Sequence, residues 1–206
     1  MITIINYGSG NIGALANIYE KYSIPYKIAT KSSEIENAEK IILPGVGAFD
    51  STMQSLNQSG LRDALDHQVL IKKVPVLGIC VGMQIMANGS EEGTLPGLNW
   101  INARVKKFST EQIKHLPKIP HLGWNTIQIA KSHLLMNNID ENRGFYFIHS
   151  YYVETFLSDD VLTTTFYGHQ FTSAIQKENI IAVQFHPEKS HKNGVQLLLN
   201  FSKIVC

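Results

Sequence analysis

Cys80 and His186 are the two residues of this chain whose type and surroundings suit covalent chemistry. Cys80 closes the apolar run Val74-Pro75-Val76-Leu77-Gly78-Ile79 and is followed by Val81 to Asn88, a stretch that can form a helix. A strand that turns sharply into a helix at a reactive side chain has the form of a nucleophile elbow, here with a thiol in place of a hydroxyl. Gly78 and Gly82 lack a Cβ, so the strand end and the first helical turn can approach closely. Partial positive charge at the helix N-terminus would then favour the thiolate. Most free cysteines are small buried hydrophobes. The flanking glycines and the change from strand to helix favour the nucleophile here.

His186 lies in Val183-Gln184-Phe185-His186-Pro187-Glu188, after a strand and far from Cys80 in the chain, so only the fold can pair them. An imidazole there can take the thiol proton and later protonate a leaving amine. Glu188, two residues on, faces the same side of an extended segment, where it can accept from the far ring nitrogen and hold the tautomer. Pro187 stiffens the link. Alone, His-Pro-Glu would read as a strand-end histidine and a solvated acid; beside the elbow it completes a candidate Cys–His–Glu triad. An oxyanion hole needs backbone N–H groups. Val81 supplies one, and Val46 or Gly47, in Pro44-Gly45-Val46-Gly47 after another strand, supplies the second.

The elements that must position these groups follow from the pattern. Strands are expected at 2–6, 26–30, 40–43 and 74–79, the third broken by Pro44-Gly45-Val46-Gly47. Helices are expected at about 12–22 with Asn11 as cap, briefly at 33–36, and over 49–68. This alternation predicts a mostly parallel sheet flanked by helices. Later, 101–108, 123–129, 144–152, 161–167, 171–176 and 180–185 all read as strands, an antiparallel or mixed extension of the sheet. A C-terminal helix over 193–204 would bury Val195, Leu198, Leu199 and Phe201. The fold expected is a single flavodoxin-like α/β domain over 1–206, without a linker or internal repeat.

Composition limits the rest. The 206 residues are 44% hydrophobic and 17% charged, which suits a folded domain with a sizeable core. A formal net charge of +1 offers no field for nucleic acid or a membrane surface. Two cysteines, Cys80 and Cys206, make no disulfide framework, and neither has zinc-type ligand spacing. No metal or other cofactor is therefore expected, and reduced thiols suggest the cytoplasm. The apolar start, Met1 to Tyr7, reads as a strand and not a signal peptide. Gly8-Ser9-Gly10-Asn11-Ile12-Gly13 matches a dinucleotide fingerprint, but the second strand ends at Thr30-Lys31 without an acid for a ribose hydroxyl, so it is read as a tight strand-to-helix turn.

Gly78-Ile79-Cys80-Val81-Gly82-Met83-Gln84 and Phe185-His186-Pro187-Glu188 resemble, in order and separation, the two signatures of the class I (triad) glutamine amidotransferases. Segments 6–11, 44–49, 120–125, 147–151 and 186–190 resemble the branch of that family that serves histidine biosynthesis. The resemblance implies that Cys80 attacks the carboxamide of glutamine, giving ammonia and a thioester that water, activated by His186, hydrolyses to glutamate. It implies that Gly45, Gly47, Gln84 and the backbone of His149, Ser150 and Tyr151 hold the glutamine. It implies a heterodimer in which ammonia passes to a (β/α)8-barrel synthase subunit that makes imidazole glycerol phosphate and an aminoimidazole carboxamide ribotide. Trp124-Asn125 and Lys189-Ser190 are expected to face that partner, a core position for Trp124 being the alternative. Asn11-Ile12-Gly13-Ala14 lacks a basic residue expected there, which leaves open a relative that feeds ammonia to a sugar amidotransferase in a surface-glycan pathway. A cysteine peptidase on a similar scaffold, or a binding protein with a structural Cys80, are the further alternatives.

Overall fold

The structure is a computed structural model and describes residues 1–206 except His115, Pro117 and Cys206; the expectation for Cys206 lies outside the described residues. Four strands and their helices open the fold. They are β1 (Ile2–Ile5), α1 (Ile12–Lys21), β2 (Tyr26–Ala29), β3 (Lys40–Gly45), α2 (Phe49–Gln58), α3 (Arg62–Asp66), β4 (Val76–Cys80) and α4 (Val81–Gln84). The later part adds β5 (Ala103–Lys107), β6 (His121–Asn125), β7 (Gln128–Ile129), β8 (Phe145–His149), β9 (Tyr151–Thr155), β10 (Val161–Tyr167), β11 (His169–Lys177), β12 (Ile180–Val183) and α5 (His191–Lys203).

One sheet runs in the order β2-β1-β3-β4-β12-β11-β10-β7, with β9 joining β11 and β5 joining β9. The neighbours from β2 to β12 pair in parallel, and β11, β10 and β7 continue antiparallel. The parallel strands are buried on both faces, which is why β1, β3, β4 and β12 read as continuous apolar runs. A separate antiparallel ribbon joins β6 to β8.

Two placements matter for chemistry. Although β12 follows a run of antiparallel strands in the chain, it sits in the parallel centre beside β4, with Val183 opposite Ile79. On the other side of β4, β3 continues through Pro44 to Gly45, which lies opposite Cys80. The expected break after Leu43 is thus displaced by two residues, because Pro44 needs no ladder N–H at the strand's end. The carboxyl ends of β3, β4 and β12 therefore open side by side.

Several expectations are corrected. The strand read over 144–152 is two strands, β8 in the ribbon and β9 in the main sheet, divided at Ser150. The strand read over 123–129 is likewise β6 and β7, parted where the Asn125 side chain accepts the Thr126 N–H at 2.8 Å. Asn11 makes no side-chain cap on α1. The helix expected over 49–68 is interrupted at Gly60, where φ is +72°. On α5, Val195 and Leu199 are only half-buried, and the inner face is Gly194, Leu197, Leu198 and Phe201. Buried Asn193 and Asn200 tie that face to the carbonyls of Asp140, Gly144, Leu135 and Asn137, an anchoring that apolar periodicity does not register.

The helix after Cys80 is a single turn instead of the two expected over 81–88. The carbonyls of Ile85, Met86 and Ala87 accept from Leu98, Asn99, Trp100 and Ile101, which draws the chain out of the helix. The crowding at its start is as expected: a Cβ on Gly82 would lie 2.0 Å from the Leu43 carbonyl oxygen, and one on Gly78 would meet Met86 Cε at 2.7 Å. The Leu43 carbonyl belongs to a buried strand and cannot yield. Gly82→Ala is expected to lower stability by about 3 kcal/mol or more. A denaturant midpoint unchanged from the parent would contradict that close approach.

Candidate functional site

Cys80 is the last residue of β4 and has φ +55° and ψ −113°. A residue with a Cβ rarely adopts this conformation, and it persists here because β4 and the crowded turn around Gly82 hold it from both sides. The sulfur is buried at the floor of a pocket of about 320 Å³, which Val46, Gly47, Val81, Gln84, His149–Tyr151, His186 and Lys189 line with it. Three of the chain segments that meet there do so for one reason. β3 and β12 flank β4 in parallel, so the turns leaving all three strands open on one edge.

His186 lies just beyond β12, nearly fully buried, with Nδ1 2.8 Å from Glu188 Oε1. Its backbone N–H donates to the Tyr146 carbonyl, and its own carbonyl accepts from Ser190 Oγ at 2.5 Å. Burial disfavours the imidazolium. Hydrogen bonding to the Cys80 sulfur and to Glu188, together with their charge, outweighs burial and pushes His186 up to about 10. The arrangement therefore favours an imidazolium at neutral pH, with the Cys80 sulfur on one side of the ring and Glu188 on the other. Such a trio can attack a carbonyl carbon and shuttle one proton.

The remaining expected residues divide. Gly47, with φ +112°, and Val81 line the pocket wall beside the sulfur. Val46 also lines it, but its N–H donates to Ser9 Oγ at 2.9 Å, and Ser9 Oγ donates back to the Val46 carbonyl at 2.9 Å. Tyr7, whose phenol burial pushes up, donates to the Pro44 carbonyl. The β1–α1 turn thus clamps the Pro44–Gly47 segment; this is the use of the glycine-rich turn that had looked like a dinucleotide fingerprint. Gly45 does not line the pocket. It packs behind it, where a Cβ would stand 2.4 Å from the Gly82 nitrogen. Gln84 lines the pocket and donates through Nε2 to the Tyr151 carbonyl at 3.0 Å and to Gln184 Oε1 at 3.1 Å.

On the ribbon, Leu122, Trp124 and Ile148 are exposed on one face, with Tyr146 between them. Trp124 is 47% exposed and stacks on His191 at 5.2 Å, so it is not a core residue. Asn125 donates to the Phe166 carbonyl and contacts His121 Nε2. Lys189 is exposed above the Tyr146 ring. Ser190, expected to face a partner, is 0% exposed. It bonds the His186 carbonyl and the Tyr146 N–H and so braces the turn that carries His186.

Sequence reading passed over Gln184, Ser9 and the His121–His149 pair. Gln184 carried a signal, since an amide inside the apolar run 180–185 must find a buried partner. Ser9 and His121 carried none, because their partners are far away in the chain.

A profile of the family described as Glutamine amidotransferase class-I matches residues 3–204. A Leptospira interrogans protein named imidazole glycerol phosphate synthase subunit HisH is 48% identical over 99% of this chain and all of its own length. A Pseudomonas aeruginosa protein named imidazole glycerol phosphate synthase subunit HisH 2 is 45% identical over the whole of both chains. A crystal structure described as that of a glutamine amidotransferase superposes with a TM-score of 0.71 at 14% identity, over 99% of this chain and all of that one. At that identity the likeness shows the fold. Among the described residues no helix is long and apolar enough to cross a membrane.

Proposed function

We infer the activity from membership and geometry together: the chain belongs to the class-I glutamine amidotransferase family, and its pocket holds a strained thiol against an imidazole and a carboxylate. It is the glutaminase subunit of an imidazole glycerol phosphate synthase in histidine biosynthesis, a reading supported by full-length relatives of that name. The observation that carries the chemistry is the buried His186 ring held between the Cys80 sulfur and Glu188, which fixes the ring.

In this reading, Cys80 Sγ attacks the side-chain carboxamide carbon of glutamine. The tetrahedral oxyanion forms against the N–H groups of Val81 and of the Val46–Gly47 segment. His186 gives its proton to the leaving nitrogen, the C–N bond breaks and ammonia departs, leaving a γ-glutamyl thioester. His186 then takes a proton from water, hydroxide adds to the thioester carbon, and collapse returns glutamate and the thiolate. Glu188 holds Nδ1 as donor, so that Nε2 handles the proton in both halves. Gly47, Gln84 and the backbone of His149–Tyr151 hold the substrate, while Gly45 lets that wall pack tightly.

The partner is the cyclase component of the synthase. It is a (β/α)8 barrel that docks one-to-one, in the cytoplasm. The apolar ribbon face of Leu122, Trp124 and Ile148, with Asn125 and Lys189 at its edge, borders the mouth of the pocket and suits such a partner. Ammonia released there would enter the barrel without meeting bulk water. With that partner and its nucleotide substrate, glutamine should yield imidazole glycerol phosphate and stoichiometric glutamate. Consumption of the ammonia only by a sugar acceptor would overturn the pathway and leave the glutaminase chemistry standing.

Because the Val46 N–H is engaged by Ser9, the oxyanion site is incomplete until docking moves the Pro44–Gly47 segment. Ser9→Ala removes that competing acceptor. In the free glutaminase it is expected to raise glutamine hydrolysis about five- to tenfold, the scale of one net hydrogen bond, with little change in the complex. Glutamate release by the free variant equal to that of the parent would dismiss Ser9 as the restraint.

A further inference from the structure

Gln184 is 0% exposed, and its Nε2 lies 3.8 Å from Cys80 Sγ, within the longer reach of a sulfur acceptor. Which end of a buried amide meets its neighbour is decided by the groups around it. Here the decision propagates from a backbone carbonyl. The Tyr151 carbonyl can only accept, so Gln84 must turn its nitrogen toward it. The same Gln84 nitrogen reaches Gln184, which must answer with its oxygen. The Gln184 nitrogen is then left facing the sulfur.

A second chain of hydrogen bonds reaches the same carbonyl from the ribbon. His149 Nδ1 lies 2.8 Å from the Tyr151 oxygen and must donate to it. His149 Nε2 is then an acceptor for His121 Nδ1 at 3.0 Å, and His121 Nε2 accepts from Asn125 Nδ2 at 3.1 Å. Burial, and then the neighbouring His121, pull His149 down to about 3, so this ring stays neutral and keeps that direction. Both chains of bonds end on Tyr151 O and hold it in place, and with it the orientation of both glutamine amides.

We propose that Gln184 is a further catalytic residue, whose amide N–H donates to the Cys80 sulfur and stabilises the thiolate before attack and again when the thioester is hydrolysed. The inference rests on the glutaminase reading above. Its physical content is the sign of a dipole. An N–H facing sulfur favours the anion, and an amide oxygen in the same place would oppose it. No atom is transferred to or from Gln184, so the reaction balance is unchanged.

The test uses the protein in complex with its cyclase partner and compares Gln184→Glu with Gln184→Met. Gln184→Glu keeps the shape but puts a carboxyl oxygen where the donor nitrogen stood, which opposes the thiolate when ionised. Gln184→Met keeps the length and suits an apolar wall. The readout is the rate of Cys80 alkylation by iodoacetamide against pH, followed on the Cys80 peptide by mass spectrometry, beside kcat and KM for glutamine. The native titratable groups around the sulfur, His186, Glu188 and Tyr7, with His149, Glu92 and Lys189 on the pocket wall, are unchanged in both variants. Gln184→Glu adds a carboxyl group of its own, however, so Gln184→Met is the arm that isolates loss of the N–H. Gln184→Glu is expected to slow alkylation at neutral pH at least about tenfold, to move its rise to higher pH, and to lower kcat about tenfold or more with KM within about threefold. Gln184→Met should shift both in the same direction by less. If Gln184→Glu does not fold, Gln184→Met decides alone. An alkylation profile matching the parent's in a folded variant overturns the proposal. Failure of the glutaminase reading would look different, since the parent complex would then release no glutamate while its alkylation profile remained measurable.

Discussion

Cys80→Ala is expected to abolish glutamine-dependent turnover, by at least about 10⁴-fold in kcat, while the complex still uses added ammonium at the parent's rate. Among the described residues, the sulfur is the only group at the pocket floor that can form the thioester. The substitution is also clean in structural terms. Cysteine and alanine both carry a Cβ, so each bears the same backbone penalty at φ +55°. The neighbours that hold this strained turn, Gly45 and Gly82, are untouched. The ammonium arm separates chemistry from assembly, because it requires a docked and active partner. Glutamate release persisting in Cys80→Ala would remove the covalent mechanism. Loss of ammonium use as well would mean that the site had been damaged beyond its sulfur.

His186→Asn is expected to lower kcat for glutamine by about 10³-fold or more, again with ammonium use retained. Asparagine can still meet Glu188 but cannot carry the proton from attack to leaving group. The parent's pH profile gives the companion result. His186 is raised to about 10, so its imidazolium survives well above the usual histidine range and is lost only as pH rises through about 10. The alkaline decline of kcat/KM should therefore fall near 10 and not near 6.5. Glu188→Gln weakens the hold on the charged ring and should bring that decline to lower pH. An alkaline limb near neutrality in the parent would show that the imidazole rests uncharged, and the ion-pair mechanism would fail.

Much of this site was legible in the residues. The apolar run into Cys80, with Gly78 and Gly82 around it, announced a crowded reversal of the chain, and the structure crowds it to the point where a Cβ on Gly82 would strike a carbonyl. His186 and Glu188, two residues apart, announced a pair, and they lie 2.8 Å from each other. The segment is not extended as expected, however, because Pro187–Lys189 forms a tight helical turn just after His186, and that turn brings the two side chains together. Steric demand at a turn and a two-residue spacing are short-range properties, written in a few neighbouring residues.

What lay beyond reach was set by partners distant in the chain. Ser190 follows the His-Pro-Glu signature as an exposed polar residue would, yet it is an internal brace, because β8 passes beside it and offers the Tyr146 N–H. Residues 144–152 alternate like one strand, but the chain changes sheets at Ser150. Gln184 looked like one more residue between Val183 and Phe185, and only the meeting of Gln84 with Tyr151 O turns its nitrogen toward the sulfur.

By itself the sequence determined the candidate Cys80, His186 and Glu188, the sharp turn that carries Cys80, and the alternation of strands and helices, since each depends on sterics and periodicity within a few residues. Only the tertiary structure decided that β12 inserts beside β4, which brings His186 to Cys80, and that the Ser9 hydroxyl occupies the Val46 N–H. Strand neighbours and buried hydrogen-bond partners are chosen by how whole faces pack and by which polar groups lose water, and that choice is made between segments with no contact along the chain.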